Sequence, residues 1–145
     1  MPVRIDEAGH DDATVADALS WTTHTYQCVH LAESDDQARE ELQVILKGYQ
    51  DAVDRENEFN ARAEADSANK KKDINISALD EGWIGTWCLW GSPEKVIEHL
   101  RPYKELGIGN VLCGTTTGPL TDERLRLGNQ TLDLLSNRVM PALKG

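Results

Sequence analysis

Hydrophobic and polar positions along this chain predict three units in which a short strand precedes an amphipathic helix. The first strand covers residues 21–31, WTTHTYQCVHL, where aromatic and β-branched residues favour an extended backbone. Strand alternation places four ring or sulfur side chains on one face: His24, Tyr26, Cys28 and His30. Ser34 then caps a helix whose predicted apolar stripe consists of Ala38, Leu42, Ile45, Leu46 and Tyr49.

The second unit contains the densest aromatic patch of the chain. Residues 84–89 form its predicted strand, and Trp90 follows at the carboxy-terminal end of that strand. Ser92 is the predicted cap of the next helix and Pro93 is its first residue, an arrangement typical of helix starts. We expect Gly107 to end this helix with a positive φ.

The third unit brings the chain to its end. Residues 108–113 predict a short strand that is buried on both faces, and the loop GTTTG follows at residues 114–118. Thr121 is the predicted cap of the last helix, and Pro141 is predicted to end it. The expected apolar stripe of this helix consists of Leu125, Leu132, Leu135 and Val139.

The order of these elements predicts an α/β fold with a parallel sheet, because helical crossovers join parallel strands. Residues 1–20 have no sustained period and are predicted to form an acidic amino-terminal arm. Residues 21–145 then form one α/β domain, which a charged insertion interrupts at residues 51–80. Within that insertion, residues 66–73 indicate a solvated loop.

Composition narrows the classes of partner. The chain has 145 residues and a formal net charge of -10, which makes nucleic acid and anionic membranes poor partners. No apolar run approaches the roughly 18 residues needed to cross a bilayer, so we expect a cytoplasmic protein without a membrane partner. The three cysteines form no closely spaced pair, which argues against a disulfide framework.

The candidate binding residues lie near the strand exits, because ligands of parallel α/β folds bind there. Thr115, Thr116 and Thr117 offer hydroxyl and backbone donors to a phosphate at the last exit. The alternative is an ordinary polar turn, since this loop contains neither Lys nor Arg.

Two tryptophans and one histidine complete the candidate set. Trp87 and Trp90 either form a wall of an apolar pocket or pack in the core or at a subunit interface. His30 is either a polar group of that pocket or a core histidine with satisfied hydrogen bonds. The chain lacks a second ligand cluster near His30 and Cys28, so no metal site is predicted.

Two segments carry a family resemblance. The run GSPEKVIEHLRPYKELGIGNVL at residues 91–112, followed by NRVMPAL at residues 137–143, resembles the carboxy-terminal end of luciferase-like flavin monooxygenases. That family folds as a (β/α)8 barrel, which typically needs about 250 residues. The resemblance therefore implies a partial barrel of about three strand-helix units, completed by association with another chain.

The resemblance also implies a function. It suggests a component of a flavin-dependent monooxygenase that oxidises an apolar small molecule, with reduced FMN or a deazaflavin bound mainly by a partner chain. In the family, an insertion comparable to residues 51–80 can form a cover over the active site. The alternative is a surface segment without a chemical role. No position here matches the known catalytic residues, which lie on early strands, so the catalytic residues stay unknown.

Association is expected because a half-barrel leaves strand edges unpaired and its inner face open. The partner is either a second copy, giving a homodimer, or a separate amino-terminal half-barrel chain, giving a heteromer. A non-catalytic function is the alternative to the monooxygenase hypothesis. In that case the half-barrel dimerises and binds a small ligand or a partner enzyme.

Overall fold

The structure is a computed structural model that describes residues 9–62, 88–115 and 120–144. It contains the predicted succession of short strands and longer helices within these ranges. The strands are β1 (Thr23–Tyr26), β2 (Cys28–Leu31), β3 (Cys88–Gly91) and β4 (Asn110–Cys113). The helices are α1 (Asp12–Trp21), α2 (Asp35–Arg62), α3 (Pro93–Glu105), α4 (Asp122–Leu134) and α5 (Met140–Leu143), with a π-helical segment at Leu135–Val139.

The strands form two short parallel pairs, which gives the mixed α/β architecture predicted for the chain. β1 pairs with β4 and β2 pairs with β3, both in parallel. β1 and β2 are consecutive halves of the predicted first strand, so the two pairs meet end to end. This order differs from that of consecutive barrel units, which would place β3 between the first and last strands.

A break at Gln27 divides the first strand and changes which side chains share a face. Tyr26 packs with Val29 in one hydrophobic cluster, whereas Cys28 packs in the other. The prediction of a single face for residues 24, 26, 28 and 30 is therefore wrong. The reason is local, because the bend at Gln27 interrupts alternation, and the Tyr49 hydroxyl donates a hydrogen bond to the Gln27 carbonyl there.

The β2–β3 pair is buried on both faces by helices of the same chain. One face packs against α2, whose predicted apolar stripe is confirmed: Ala38, Leu42, Ile45 and Leu46 are buried, and Tyr49 packs against them. The other face carries Val29 and Leu89, which pack against Val96 and Leu100 of α3. This half of the sheet has no open face of the kind expected for a half-barrel.

The β1–β4 pair is far less covered. β4 was predicted to be buried on both faces, and this prediction is wrong, since Leu112 is 61% and Val111 37% exposed. Thr23 and Thr25 of β1 are exposed as well, on the same face as Leu112. The protein therefore has a closed end, formed by β2 and β3, and an open end, formed by β1 and β4.

Two helices extend into segments predicted to lack regular structure. α1 forms within the acidic arm, where the Thr14 N–H donates to the Asp11 carboxylate at 2.8 Å and caps the helix. α1 buries no residue, which explains why its sequence shows no apolar period. α2 continues to Arg62 and so includes the first part of the charged insertion; residues 63–80 lie outside the described residues.

The face that α4 turns inward differs from the prediction. Leu125 and Leu132 are 50% and 51% exposed, whereas Leu127 and Leu134 are buried. The buried stripe also includes the polar Thr131, which an apolar pattern does not detect. The predicted caps of α3 and α4, Ser92 and Thr121, are confirmed, as is the positive φ of Gly107.

Pro141 does not end the last helix. The chain widens into the π-helical segment at Leu135–Val139, and the Met140 N–H donates to the Leu135 carbonyl five residues earlier. This wider turn precedes the proline, whose ring would otherwise clash with the carbonyl of the residue four positions before it. The helix then continues through α5 to Leu143.

Candidate functional site

The exits of β2 and β3 are closed by polar contacts within the chain. The Ser92 N–H, at the start of α3, donates to the Asp35 carboxylate of α2 at 2.7 Å. This hydrogen bond is the largest cause of the lowered pKa of Asp35. Gly91 lies between them with a φ of 133°, and a Cβ there would meet Asp35 Oδ1 at 2.9 Å. The first turn of α3 therefore already holds an anionic partner.

Arg138 closes the same side of the molecule. Its guanidinium contacts Glu33 Oε2 at 2.9 Å and also pairs with the carboxylate of Glu94. The three residues join the loop after β2, the start of α3 and the π-helical segment. Because all three are exposed, we assign this bridge a positional role and little stability.

A buried hydrogen-bond network surrounds His30. The His30 side chain is fully buried, and its Nε2 lies 2.9 Å from Glu41 Oε2 of α2. Its Nδ1 lies 3.2 Å from the Thr131 hydroxyl of α4. Glu41 also accepts from the side-chain amides of Gln37 at 2.9 Å and Gln130 at 2.8 Å. His30 thus has a partner at both ring nitrogens.

The hydrogen bonds assign the tautomer of His30. Thr131 Oγ1 accepts the Leu31 N–H at 3.0 Å, so its own proton is available for His30 Nδ1. His30 Nε2 then carries the ring proton and donates it to Glu41. Burial lowers the pKa of His30, although Glu41 opposes this shift. The lowered pKa favours the neutral form of the ring. Burial alone would raise the pKa of Glu41, but the hydrogen bonds from Gln37, Gln130 and His30 lower it.

The same network satisfies the free edge of β2. Leu31 donates its N–H to Thr131, and its carbonyl accepts from Gln130 Nε2 at 3.0 Å. These two side chains occupy the place of a neighbouring strand at this position. Leu127 and Leu134, on either side of them along α4, belong to the clusters on opposite faces of the sheet. α4 therefore lies across the edge of β2.

Trp90 lies in the core beside His30. The two residues are register partners on β3 and β2, so the structure brings these two predicted site residues together. Trp90 is only 6% exposed, and Lys95 Nζ lies 3.5 Å from its ring centroid. A cavity of about 60 Å³ adjoins Trp90, Lys95 and His99. That volume is too small for an organic ligand, so packing is the role that the geometry of Trp90 supports.

Of the four other predicted site residues, the structure describes only Thr115. Thr115 is partly buried and follows the end of β4. Trp87, Thr116 and Thr117 lie outside the described residues. Their predicted contacts with a phosphate or a flavin ring stay predictions.

A second cluster of titratable rings was not predicted from the sequence. The Tyr26 hydroxyl lies 2.8 Å from His99 Nε2 and 3.4 Å from the Tyr103 hydroxyl. The ring of His24 lies 4.7 Å from that of Tyr103. Burial, followed by the charges of His24 and Lys95, lowers the pKa of His99. The available signal was spacing, since His99 and Tyr103 are four residues apart on α3, and His24 and Tyr26 two apart on β1.

A large cavity adjoins this cluster, since Tyr103 lines it. Its volume is about 590 Å³, and it lies between β4, the last turns of α3 and the carboxy-terminal helix. Most lining residues are apolar: Leu100, Ile108, Val111, Leu132, Leu135, Val139, Met140 and Leu143. Tyr103, Lys104, Asp133 and Ser136 provide the polar side chains. Because Gly109, Val111 and Cys113 all line it, this cavity extends along one face of β4, between that strand and the helices.

Two kinds of feature are absent from the residues that the structure describes. No group of three or more His, Cys, Asp or Glu side chains there is arranged to hold a metal ion. In the same ranges, no helix is both long and apolar enough to cross a membrane.

Comparison with known proteins shows a likeness to solved structures. No protein-family profile and no curated protein sequence matches this chain. Among solved structures, the chain is similar to a type II Baeyer-Villiger monooxygenase, the oxygenating constituent of 3,6-diketocamphane monooxygenase from Pseudomonas putida in complex with FMN. The TM-score is 0.51 at 20% sequence identity, over 94% of this chain. This likeness shows the fold, and the chain spans 36% of the length of that protein.

The described residues do not form a complete site for FMN. The 590 Å³ cavity is large enough for an organic ligand, but Lys104 is the one cation among its lining residues. A flavin needs several donors for its ring edge and its phosphate, and the backbone donor at the start of α3 is already bonded to Asp35. The cavity suits an apolar molecule better than it suits a phosphorylated cofactor.

The hydroxyl of Thr131 should stabilise the fold because it accepts a hydrogen bond from the Leu31 N–H and also hydrogen-bonds to His30. We expect Thr131→Val to lower the free energy of unfolding by about 1–3 kcal/mol, since it leaves a buried donor without a partner. Urea denaturation measures this change. Thr131→Ser keeps the hydroxyl and should recover most of the loss, and Thr25→Val on the exposed face of β1 should change stability by less than about 0.5 kcal/mol. Equal losses in the two Thr131 variants would contradict this role.

Stability should also fall on mild acidification. The pKa of His30 is lowered from the ordinary 6.5, so just below that pH the unfolded chain binds a proton that the folded protein does not. The free energy of unfolding therefore decreases as pH falls through 6.5, and the lowered pKa of Glu41 adds a second loss below its ordinary 4.5.

Nitrogen-15 NMR of the imidazoles should then show His30 as the neutral Nε2–H tautomer at neutral pH, with a protonation midpoint below the ordinary 6.5. His99 contributes to the same pH window, so the denaturation series is repeated with His99→Gln. A His30 midpoint above 6.5, or a neutral ring protonated at Nδ1, would contradict the assignment.

Proposed function

We propose that the chain is a component of a flavin-dependent monooxygenase of the luciferase-like type and acts on an apolar small molecule. One observation carries this proposal: almost the whole chain adopts the fold of about one third of an FMN-bound oxygenating constituent. The amino-acid sequence adds independent support, because residues 91–112 and 137–143 resemble the carboxy-terminal end of the same family.

The apolar cavity supplies the binding volume in this proposal. Its 590 Å³ lie within the range of ordinary ligand sites, and aliphatic side chains from five elements form most of its wall. Lys104 and Asp133 are the charged residues of its lining. An apolar molecule with one polar group matches this distribution, since the apolar part gains free energy on leaving water and the polar group fixes its orientation.

The flavin is held mainly by another polypeptide in this proposal, as either reduced FMN or a deazaflavin. That polypeptide completes the barrel and is either a second copy or a separate amino-terminal half. Two features support this division: the described residues lack a donor set for the phosphate, and the chain spans only 36% of the similar protein. Localisation in the cytoplasm is part of the same proposal.

A non-catalytic function is the second candidate, and the position of the cavity favours it. Catalytic sites of parallel α/β folds lie at the strand exits, whereas this cavity extends along one face of β4, between that strand and the helices. The exits of β2 and β3 are occupied by the contacts of Asp35 and Arg138. In this case the chain binds an apolar ligand or a partner enzyme without performing oxidation.

Native mass spectrometry of the protein, purified gently from its own host, separates the two candidates. The monooxygenase proposal predicts a complex that retains flavin, and oxygen consumption when a reductant is supplied. A colourless assembly that gains no flavin after FMN is added, and consumes no oxygen, would overturn this proposal and favour the non-catalytic candidate.

The cavity is tested with two variants of the same helix. Leu132→Glu introduces a charge into the cavity wall, whereas Leu125→Glu changes an equally exposed leucine that is outside the lining. We expect Leu132→Glu to weaken binding of a neutral apolar fluorescent probe by roughly tenfold or more, because burying an unpaired carboxylate is costly. Leu125→Glu should leave the affinity unchanged. Equal affinities for both variants would exclude this cavity as the binding site.

A further inference from the structure

Two cysteines lie next to each other in the closed end of the sheet. Cys28 on β2 and Cys88 on β3 are register partners, and both are free thiols. Cys28 is fully buried and Cys88 is 2% exposed. The two residues are far apart in the sequence, and the pairing of β2 with β3 brings them together.

The two thiols lie on the same face of the sheet and interact directly. Both belong to the hydrophobic cluster that contains Ile45 and Leu46 of α2. A hydrogen bond joins the side chains of Cys28 and Cys88. This hydrogen bond, together with burial, raises the pKa of Cys88, so its sulfur keeps a proton at neutral pH.

The spacing of the two strands permits a covalent bond between the sulfurs. Paired strands lie about 4.8 Å apart, and the Cα atoms of a disulfide are usually about 4.4–6.8 Å apart. Register partners therefore meet this requirement without a shift of either strand. Cys28 and Cys88 are also the first residues of their strands, and the chain bends at Gln27 directly before Cys28. Their side chains are thus less constrained than those at the centre of a strand.

The third cysteine of the chain packs elsewhere. Cys113 ends β4 and contacts the other hydrophobic cluster, on the opposite side of the core from Cys28. Its register partner on β1 is Tyr26. The fold therefore selects one pair out of the three that these cysteines could form.

We propose that Cys28 and Cys88 are a site of reversible oxidation, at which a disulfide joins β2 to β3. This inference goes beyond the proposed function and does not depend on flavin binding. The oxidant is a peroxide: one thiol breaks the O–O bond of hydrogen peroxide, which gives a sulfenic acid and one water. The second thiol then attacks the sulfenic sulfur, forms the S–S bond and releases a second water. A dithiol reductant returns two electrons and two protons to the pair.

The position of the pair sets the rate and the effect of this oxidation. Tyr49 of α2 hydrogen-bonds to Cys28 and is partly exposed, so a small oxidant can approach when this ring moves aside. Burial makes the reaction slow, since little thiolate is present. The disulfide closes a loop of about 60 residues that includes all of α2, and such a cross-link restricts the unfolded chain far more than the folded one. Oxidation therefore stabilises the closed end.

Alkylation and mass spectrometry test the proposal on the purified full chain. The protein is reduced, treated with hydrogen peroxide, unfolded in urea with N-ethylmaleimide and digested with trypsin. We expect the peptides of Cys28 and Cys88 to be cross-linked and Cys113 to be alkylated. An unfolded chain would instead favour the shorter loop between Cys88 and Cys113, because closing it costs less entropy. The treatment is repeated in urea below the unfolding transition, where local opening admits the oxidant.

Thermal unfolding measures the effect of the bond. The oxidised wild type should unfold roughly 5 °C or more above the reduced protein, and dithiothreitol should remove this difference. Cys88→Ala should lose the difference, whereas the matched control Cys113→Ala should keep it. Three alkylated cysteines under both treatment conditions, a disulfide that includes Cys113, or an oxidised protein no more stable than the reduced one would each overturn the proposal.

Discussion

The hydrogen bonding of the β2 edge is the constraint on which the rest of this structure depends. A buried strand with an unpaired edge leaves backbone donors and acceptors without water, at a cost of a few kcal/mol per group. The Leu31 N–H and carbonyl lie at such an edge, and Thr131 and Gln130 bond to both. Because these side chains must reach Leu31, the rotation of α4 about its axis is fixed.

The rotation of α4 determines the two ends of the molecule. Leu127 and Leu134 then pack on opposite faces of the sheet and complete the closed end. Leu132 is turned toward the cavity beside β4. The same helix setting that stabilises β2 thus leaves β4 exposed.

Local signals in the sequence predicted much of the fold. The stripe of α2, the caps Ser92 and Thr121, and the end of α3 at Gly107 depend on residues within one or two turns, and all four predictions are confirmed. The inward face of α4 could not be predicted from hydrophobicity, because it includes the polar residues Thr131 and Gln130. Their side chains hydrogen-bond to Leu31 of β2, about 100 positions earlier in the chain. The exposure of β4 was missed for a similar reason, since an apolar strand indicates burial without saying what buries it.

In the candidate site, too, nearby sequence identified the residues, whereas their surroundings depend on distant parts of the chain. His30 and Trp90 were singled out separately, and the register of β2 and β3 makes them neighbours. Their surroundings then decide their roles: His30 has partners at both nitrogens, and Trp90 lies in the core beneath Lys95. Neither side chain is available to a ligand without breaking the packing that holds the closed end together.

Function must therefore be sought where the structure leaves volume and surface uncovered, which is the open end. β4 forms one wall of the apolar cavity, since Val111 and Cys113 line it. In the association of the proposed function, a polypeptide that covers β4 would also enclose this cavity and remove water from its apolar walls. Such a partner would raise the affinity of the cavity for an apolar molecule, and by linkage that molecule would stabilise the association.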